Sequence, residues 1–383
     1  MSKMKYQNRT IEALLKEYMC TFPVVAVTGP RQSGKSTLVK QMLNGEYRYI
    51  TLDDYRIIDQ LEDDPERFIS TYENRVIFDE VQKYPKIFNL IKRRVDENRD
   101  VYGRYVLTGS SQFTLQHNIS ETLAGRIGLL QLLPFDISEL PDANVPIEYG
   151  CYPEQVMRNH RANEAWYGSY LETYIQRDVR SVATIGAVHD FSRFIKLLSA
   201  NVSQQLNASY YSKSLGVSVP TIKRWLSVLE FSYIIYLLKP YHSNLNKRIV
   251  KSPKIFFYDT GLAAYLNGAM GTRWEDGPLA GPIFENYIVS ECVKRIAHRG
   301  LRDELYYFRE HNGDEIDIII EGPDKRQFIE IKHSMTFRPG MIKHLEKYMD
   351  EKTKSILLYQ GESMDYTRDI LVKNCHDYLL FTG

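Results

Sequence analysis

The sequence predicts an α/β protein of two or three domains. Its 383 residues exceed the length at which a single hydrophobic core usually stops growing. The first observation is a buried apolar run, a glycine-rich loop and a helical pattern in that order near the amino terminus. The second is a series of short apolar runs, typical of buried strands, that end in acidic or small polar residues. The third is a group of strand patterns near the carboxyl terminus that carries acidic residues and a lysine.

Composition narrows the class of protein. Apolar residues make up 43% and charged residues 25% of the chain, which is typical of globular proteins. The net charge of +1 gives no overall attraction for nucleic acid, so such binding would need a local basic patch. The four cysteines form no Cys-x-x-Cys pair, which argues against a zinc site and for a reducing compartment. The chain has no signal-peptide pattern and no run of the roughly 18 apolar residues that a membrane helix needs, so we expect a cytoplasmic protein without a membrane partner.

The glycine-rich loop spans residues 29–37 and reads Gly-Pro-Arg-Gln-Ser-Gly-Lys-Ser-Thr. A β-branched run precedes it and a helical pattern follows, which is the context of a P-loop. Gly29 and Gly34 let backbone N–H groups turn inward on a phosphate, and the helix amino terminus adds its dipole. An ordinary turn would not require Gly34, Lys35 and Ser36 together. We therefore predict an ATP site. Its residues are Gly29, Pro30, Arg31, Gln32, Ser33, Gly34, Lys35, Ser36 and Thr37.

Catalytic roles follow from this loop and from a later strand. Lys35 would reach the β- and γ-phosphates, and the Ser36 hydroxyl would ligate Mg²⁺. Residues 75–80 read Arg-Val-Ile-Phe-Asp-Glu, an apolar run closed by two acids, as in a Walker B element. This pattern would bring Asp79 to the Mg²⁺ and place Glu80 as the general base for an attacking water. A chance Asp-Glu pair at the end of a surface strand is the alternative.

Two further residues are candidates for contact with the nucleotide. Ser110 follows the apolar run 104–107 and could touch the γ-phosphate or its water, although a helix N-cap is an equal alternative for Ser110 and its neighbour Ser111. Arg126 lies in a predicted loop and could act as an arginine finger, in its own chain or in a neighbouring subunit. A solvated loop arginine is the alternative for Arg126.

Five segments in this order resemble a prokaryotic family of AAA-type ATPases. They are residues 29–36, 78–82, 107–111, 124–127 and 133–135. Members of that family carry a C-terminal domain described as being of unknown function, and the resemblance covers nearly the whole chain. It implies an AAA-type ATPase core over residues 1–160 and the capacity to form a homo-oligomer.

Residues 161–270 are predicted to hold a helical connector and a winged helix-turn-helix. Residues 212–226 fit two helices, with Gly216 in the turn and Ser218 capping the second helix. Apolar runs at 229–240 and 254–258 would form the wing. Basic residues on and between these runs suit the phosphates of double-stranded DNA, while a protein-contact role stays open. They are Lys239, His242, Lys247, Arg248, Lys251 and Lys254.

Residues 271–383 are predicted to form an α/β domain with a polar cluster. Glu285 lies on a predicted helix, Asp317 lies on a strand, and the next strand carries Glu330-Ile331-Lys332. Residues two apart in a strand share a face, so Glu330 and Lys332 point the same way. This order resembles the PD-(D/E)xK fold of restriction-endonuclease-like domains. The resemblance implies a Mg²⁺ site at Glu285, Asp317 and Glu330, with Lys332 as a catalytic residue that orients water.

The function that we predict is an ATP-hydrolysing, DNA-associated protein that couples nucleotide state to the later domains. An ordinary polar face is the alternative to the nuclease-like site, and nuclease-like domains often bind without cleaving. The alternative function is therefore a nucleotide-gated protein-interaction module with a non-cleaving C-terminal domain.

Overall fold

The fold is taken from a computed structural model of the chain. It describes residues 6–109, 122–142, 145–175, 185–241, 252–323, 325–350 and 353–381. Among these residues, none of the helices combines the length and the apolarity needed to cross a bilayer.

The amino-terminal part contains a five-stranded parallel sheet in the order β2-β3-β4-β1-β5. Its strands are β1 (Val24–Thr28), β2 (Arg48–Thr51), β3 (Val76–Asp79), β4 (Tyr105–Thr108) and β5 (Ile127–Gln131). Because all neighbours are parallel, the carboxyl ends of the strands share one edge. The predicted α/β class with a parallel sheet is therefore confirmed for this part.

Helices cover both faces of this sheet. They are α1 (Glu12–Thr21), α2 (Lys35–Met42), α3 (Tyr55–Asp63), α4 (Pro65–Thr71) and α5 (Ile87–Glu97). Alternate residues of β1 serve the two faces: Val24 and Ala26 belong to one apolar core, and Val25 and Val27 to the other. This explains the continuous apolar run in the sequence, since a strand buried on both faces has no polar side.

The middle of the chain is helical. Its helices are α6 (Pro153–Met157), α7 (Asn163–Tyr174), α8 (Ile185–Ala200), α9 (Ala208–Leu215), α10 (Val219–Phe231) and α11 (Thr260–Asn267). The predicted helix-turn-helix corresponds to α9 and α10. Gly216 ends α9 in the left-handed conformation, with φ +69°, and Ser218 accepts a hydrogen bond from the Thr221 N–H at the start of α10. Both local predictions are confirmed.

The two predicted wing strands form a hairpin, but this hairpin is not free. Strands β6 (Ile235–Pro240) and β7 (Lys254–Phe257) pair antiparallel, and β6 also pairs in parallel with the first strand of the C-terminal part through Lys239 and Tyr306. The hairpin is therefore the edge of the C-terminal sheet. Of the basic residues predicted there, His242, Lys247, Arg248 and Lys251 lie outside the described residues.

The C-terminal part completes an eight-stranded mixed sheet in the order β12-β13-β11-β10-β9-β8-β6-β7. Its remaining elements are α12 (Ala280–Arg299), β8 (Glu304–Arg309), β9 (Glu315–Glu321), β10 (Arg326–Ile331), α13 (Lys343–Tyr348), β11 (Thr353–Tyr359), β12 (Met364–Asp365), β13 (Ile370–Asn374) and α14 (Cys375–Phe381). Strands β8, β9 and β10 are antiparallel neighbours, so the predicted pairing around residues 311–314 is confirmed.

One apolar core joins all three parts of the chain. It contains Leu133 from the segment after β5, Tyr233 from the turn before β6, and Phe284 from α12. The domain boundaries at residues 160 and 270 remain a prediction. The sheet and this core show, however, that the hairpin packs with the C-terminal part.

Candidate functional site

The glycine-rich loop lies between β1 and α2, at the carboxyl edge of the parallel sheet. Gly29 has φ +147°, and a Cβ atom there would lie 2.0 Å from the Leu132 carbonyl oxygen. Gly34 precedes α2 with φ +94°, a conformation that side chains rarely adopt. The loop therefore needs glycine at both positions, for close approach at the first and for backbone conformation at the second.

Lys35 begins α2 and its side chain turns back over the loop. The ammonium donates to the carbonyl oxygens of Gly29 and Pro30, at 3.0 and 2.7 Å. The residue is buried, and burial lowers the pKa of Lys35 to about 8 although the charges of Glu80 and Asp79 oppose this change. The ammonium is thus held against the loop backbone by these two carbonyl groups.

Ser36 and Asp79, predicted to share a metal ion, are brought together. The Ser36 hydroxyl lies 3.0 and 3.1 Å from the two carboxylate oxygens of Asp79 at the end of β3. The same carboxylate accepts hydrogen bonds from the hydroxyls of Tyr49 and Thr108. These two partners were not predicted. Tyr49 lies within β2 and Thr108 ends β4, and these strands flank β3, so strand order would have been needed to find them.

Glu80, the predicted general base, faces the same region. It has a left-handed backbone with φ +57°, which is uncommon outside glycine, and its carboxylate accepts a hydrogen bond from the Gln82 side chain. With Lys35 and Ser36, it lines a cavity of about 780 Å³, here called the loop cavity.

The loop cavity also has an aromatic and apolar part to its lining. This part consists of Tyr6, Phe135, Pro153, Met157 and Tyr170. These residues come from the amino-terminal segment, the segment after β5, and helices α6 and α7. The cavity therefore combines the polar groups of the loop with side chains suited to a flat apolar group.

Arg9 holds the loop through its side chain, and the sequence motifs did not predict this role. Its guanidinium donates to the Ser33 carbonyl at 2.8 Å and to the Leu133 carbonyl at 2.7 Å, and it pairs with Glu139 at 3.1 Å. The Arg9 side chain is 3% exposed and lies over the Phe135 ring. Arg9 thus connects the loop to the segment after β5, which carries Phe135.

Of the two further candidates, Arg126 lies among the described residues and does not join this site. Ser110 lies outside the described residues. Arg126 directly precedes β5, and the parallel register pairs Ile127 with Val24 and Gln131 with Thr28. Arg126 is therefore at the amino end of the strands, about 15 Å from the loop at roughly 3.3 Å per residue. Its guanidinium forms a two-point ion pair with Asp96, at 2.7 and 3.0 Å. Arg126 therefore lies away from the loop of its own chain, and its role as an arginine finger remains a prediction.

In the C-terminal part, the predicted acidic residues converge. Carboxylate oxygens of Glu285, Glu315 and Asp317 lie within 4.8 Å of one another, and these three residues are here called the carboxylate cluster. Asp317 also accepts a hydrogen bond from the Ile331 N–H at 2.8 Å. Glu330 lies beside the cluster and is bonded to Lys332 at 2.5 Å. Glu315 was not predicted as a member.

Lys254 was predicted to be one of the basic wing residues suited to DNA phosphates, but the structure places it elsewhere. It is buried, and its ammonium lies 2.7 Å from Glu285 and forms a second ion pair with Glu315. Strand β7 therefore aims this lysine into the carboxylate cluster and away from solvent.

Comparisons with known proteins divide the chain into three matched segments. Residues 21–141 match a family model described as an AAA domain, and residues 144–273 and 280–378 match two models described as domains of unknown function, DUF8612 and DUF4143. The first match supports an AAA-type ATPase, and the third agrees with the expected C-terminal domain of unknown function.

The chain is also similar to uncharacterized proteins. One from Mycobacterium tuberculosis is 27% identical over 390 residues, covering 100% of this chain and 86% of the relative. One from Haemophilus influenzae is 25% identical over 335 residues, covering 77% and 80%. Among solved structures, the Walker-type ATPase PABY2304 of Pyrococcus abyssi matches with TM-score 0.48 and 15% identity, covering 69% of this chain and 99% of that one.

Proposed function

We propose that this chain is a Mg²⁺-dependent ATPase whose site is the loop cavity. The observation that carries the proposal is the meeting of Ser36 and Asp79, 3.0 Å apart, at the wall of a cavity also lined by Lys35 and Glu80. A hydroxyl and a carboxylate are the oxygen donors that Mg²⁺ prefers, so these residues fit the ion. When bound, Mg²⁺ supplies charge neutralisation on the phosphates.

Residues of the chain would bind the phosphates, activate the attacking water and enclose the base. Lys35 would exchange its two carbonyl contacts for phosphate oxygens, and the loop N–H groups would hold the same anion. Glu80 would hold the attacking water and accept its proton. Phe135, Met157 and Tyr170 would enclose the base, because a flat ring gains most from contact with aromatic and soft apolar side chains.

Substitution of Lys35 tests this proposal. We expect Lys35→Ala to lower ATP turnover by about a hundredfold or more, which is the usual cost of removing one donor that stabilises developing charge. Lys16→Ala, at an exposed lysine on α1, is the matched control and should keep wild-type turnover. Equal turnover in Lys35→Ala and wild type would refute the assignment of the site.

The finer part of the proposal is that nucleotide state is passed to the later domains, which bind double-stranded DNA. Three basic side chains are exposed on the helix-turn-helix, at Lys213, Lys223 and Arg224. A charge-reversed variant, Lys213→Glu with Lys223→Glu, should lose duplex affinity in a fluorescence anisotropy titration, and wild-type affinity should fall steeply with salt. Flat salt dependence would count against phosphate contact.

A non-cleaving C-terminal domain is the second candidate, and Lys254 is the observation that favours it. A lysine ion-paired within the carboxylate cluster competes with any metal ion there. Supercoiled plasmid incubated with Mg²⁺ or Mn²⁺ separates the two cases. Nicking that disappears in Asp317→Ala and in Lys332→Ala would support a nuclease, and intact DNA would support the binding role.

A further inference from the structure

We propose that the Lys254 ammonium takes the place of a divalent cation in the carboxylate cluster, and that the cluster binds metal only when this charge is absent. The inference concerns the C-terminal part alone and does not depend on nucleotide binding, so its failure would leave the ATPase proposal untouched.

The position of the ammonium is the first support. It contacts Glu285 and Glu315, two of the three residues whose oxygens converge within 4.8 Å. The Lys254 side chain is only 4% exposed, and burial of a lone lysine charge would be costly without such partners. The charges of Glu285, Asp317 and Glu315 raise the pKa of Lys254, although burial opposes them. The cluster and the lysine therefore satisfy each other.

Glu330 is the second and independent support. It is 3% exposed, and among the described residues its Oε2 atom has no hydrogen-bond partner, while Oε1 is held by Lys332. Asp317 and Glu315 of the cluster lie close enough for their charges to act on Glu330. A buried carboxylate oxygen without a partner is rare in folded proteins. It marks a place where a further positive ligand would be accommodated.

The backbone around Lys254 is held by tertiary contacts. The Leu206 N–H donates to the Pro253 carbonyl at 2.8 Å, and the Tyr307 hydroxyl donates to the Ser252 carbonyl. Lys254 also forms a backbone bridge with Gln205. These contacts fix the start of β7, and with it the position from which the buried ammonium reaches Glu285 and Glu315.

The Lys254 ammonium and a divalent ion cannot both contact Glu285 and Glu315, because the repulsion between two neighbouring positive charges in a buried site is strong. A divalent ion that contacts Glu285 and Glu315 would lie against the ammonium. As folded, the cluster does not fit the metal implied by the nuclease resemblance. Without the Lys254 ammonium, Glu285, Glu315 and Asp317 offer three hard oxygen ligands.

A Mn²⁺ titration tests the proposal. The full-length protein is used without nucleotide, and every variant carries Ser36→Ala to weaken metal binding at the loop. Free Mn²⁺ is followed by electron paramagnetic resonance. We expect Lys254→Met to gain one Mn²⁺ site per chain that binds at least tenfold more tightly than any site of the Lys254 parent. Addition of Asp317→Asn to Lys254→Met should remove that site.

Two results would overturn the proposal: an Asp317-dependent Mn²⁺ site already present with Lys254 in place, or a folded Lys254→Met protein that gains none. If Lys254→Met does not fold in EDTA, Lys254→Gln takes its place, since it removes the charge, keeps a hydrogen-bond donor for Glu285 and Glu315, and leaves all three carboxylates in place. The same titration then decides, since an Asp317-dependent Mn²⁺ site supports the proposal and its absence overturns it.

Discussion

The hydroxyl of Thr28 lies 2.9 Å from the hydroxyl of Tyr233, and both residues are buried. Thr28 is the last residue of β1, directly before the glycine-rich loop, and Tyr233 lies two residues before β6. Thr28 also lies 3.1 Å from the Leu130 carbonyl, to which it donates its single proton. Tyr233 is therefore the donor between the two hydroxyls. This bond connects the nucleotide loop to the hairpin that holds Lys254.

Removal of this bond should have a measurable cost. We expect Tyr233→Phe to lower the free energy of unfolding by about 1 kcal/mol, the usual net value of a buried hydrogen bond. Thr28→Val should cost more, about 1–3 kcal/mol, because it leaves the buried Tyr233 hydroxyl without its acceptor. The double variant should reveal a coupling of about 1 kcal/mol in urea denaturation.

The matched control for this cycle is Tyr210→Phe, at a tyrosine that is 47% exposed. It should change the free energy of unfolding by less than about 0.5 kcal/mol. Strictly additive effects of Thr28→Val and Tyr233→Phe would show that the two hydroxyls do not interact in solution. A measured coupling between Thr28 and Tyr233 is also a precondition for this bond to connect the glycine-rich loop with the hairpin energetically, because proximity alone does not demonstrate coupling.

The pKa of Lys35 predicts how ATP affinity depends on pH. Burial lowers this pKa to about 8, so the ammonium is mostly charged at pH 7 and loses its proton above pH 8. Only the charged form attracts phosphate. Affinity should therefore be nearly constant from pH 7 to 7.5 and then fall, approaching about tenfold per pH unit above pH 8.

Isothermal titration of nucleotide between pH 7 and 9.5 measures this profile. Lys35→Arg supplies the control, since a guanidinium keeps its charge over the whole range and should give a flat, if weaker, profile. A flat profile in the wild-type protein would mean that the Lys35 ammonium remains charged at pH 9.5 or does not contact the phosphates.

The sequence predicted those parts of the site that lie in continuous motifs. The loop geometry requires Gly29 and Gly34 at a fixed spacing, and a buried strand that ends in Asp79 and Glu80 is legible as a short pattern. The carboxylate cluster was predicted in part for a similar reason. Strand periodicity places Glu330 and Lys332 on one side, and the neighbouring strand supplies Asp317.

Residues that act through tertiary contact escaped prediction. Arg9 reaches the Leu133 carbonyl across 124 residues of sequence, and Tyr49 and Thr108 reach Asp79 from flanking strands. The pattern of residues 254–258 predicts a strand but not the sheet that the strand joins. For that reason Lys254 was expected to face DNA, whereas strand pairing carries it into the carboxylate cluster.

Substitution of Gly29 tests whether loop shape, and not only loop chemistry, matters. A Cβ atom at this position would lie 2.0 Å from the Leu132 carbonyl oxygen, so Gly29→Ala must displace either the loop or the segment that directly follows β5. We expect ATP affinity to fall at least tenfold, with a loss of about 1–3 kcal/mol of stability from the strained backbone. Gly281→Ala in α12 has no atom within 4 Å of its added Cβ and should leave both quantities near wild type. Wild-type ATP affinity in Gly29→Ala would contradict the close packing of the loop.

Substitutions of Arg9 and Arg126 should differ in their effects on ATP affinity and on stability. Arg9→Met removes the two donors that hold the Ser33 and Leu133 carbonyls and leaves Glu139 without that cation. We expect it to weaken ATP binding at least tenfold and to destabilise the fold by about 3–5 kcal/mol, the usual cost of breaking a buried ion pair.

Arg126→Met breaks the partly exposed pair with Asp96 and an exposed hydrogen bond to the Ala124 carbonyl, which should together cost about 1 kcal/mol or less. Since Arg126 lies at the far end of the sheet from its own loop, ATP affinity should not change. Turnover should also be unchanged at nanomolar protein, where copies of the chain are apart. If turnover per chain rises with protein concentration in the wild type and this rise is lost in Arg126→Met, the arginine acts on the nucleotide of a second copy. A loss of affinity in the dilute Arg126→Met protein would contradict the strand register that separates Arg126 from the loop.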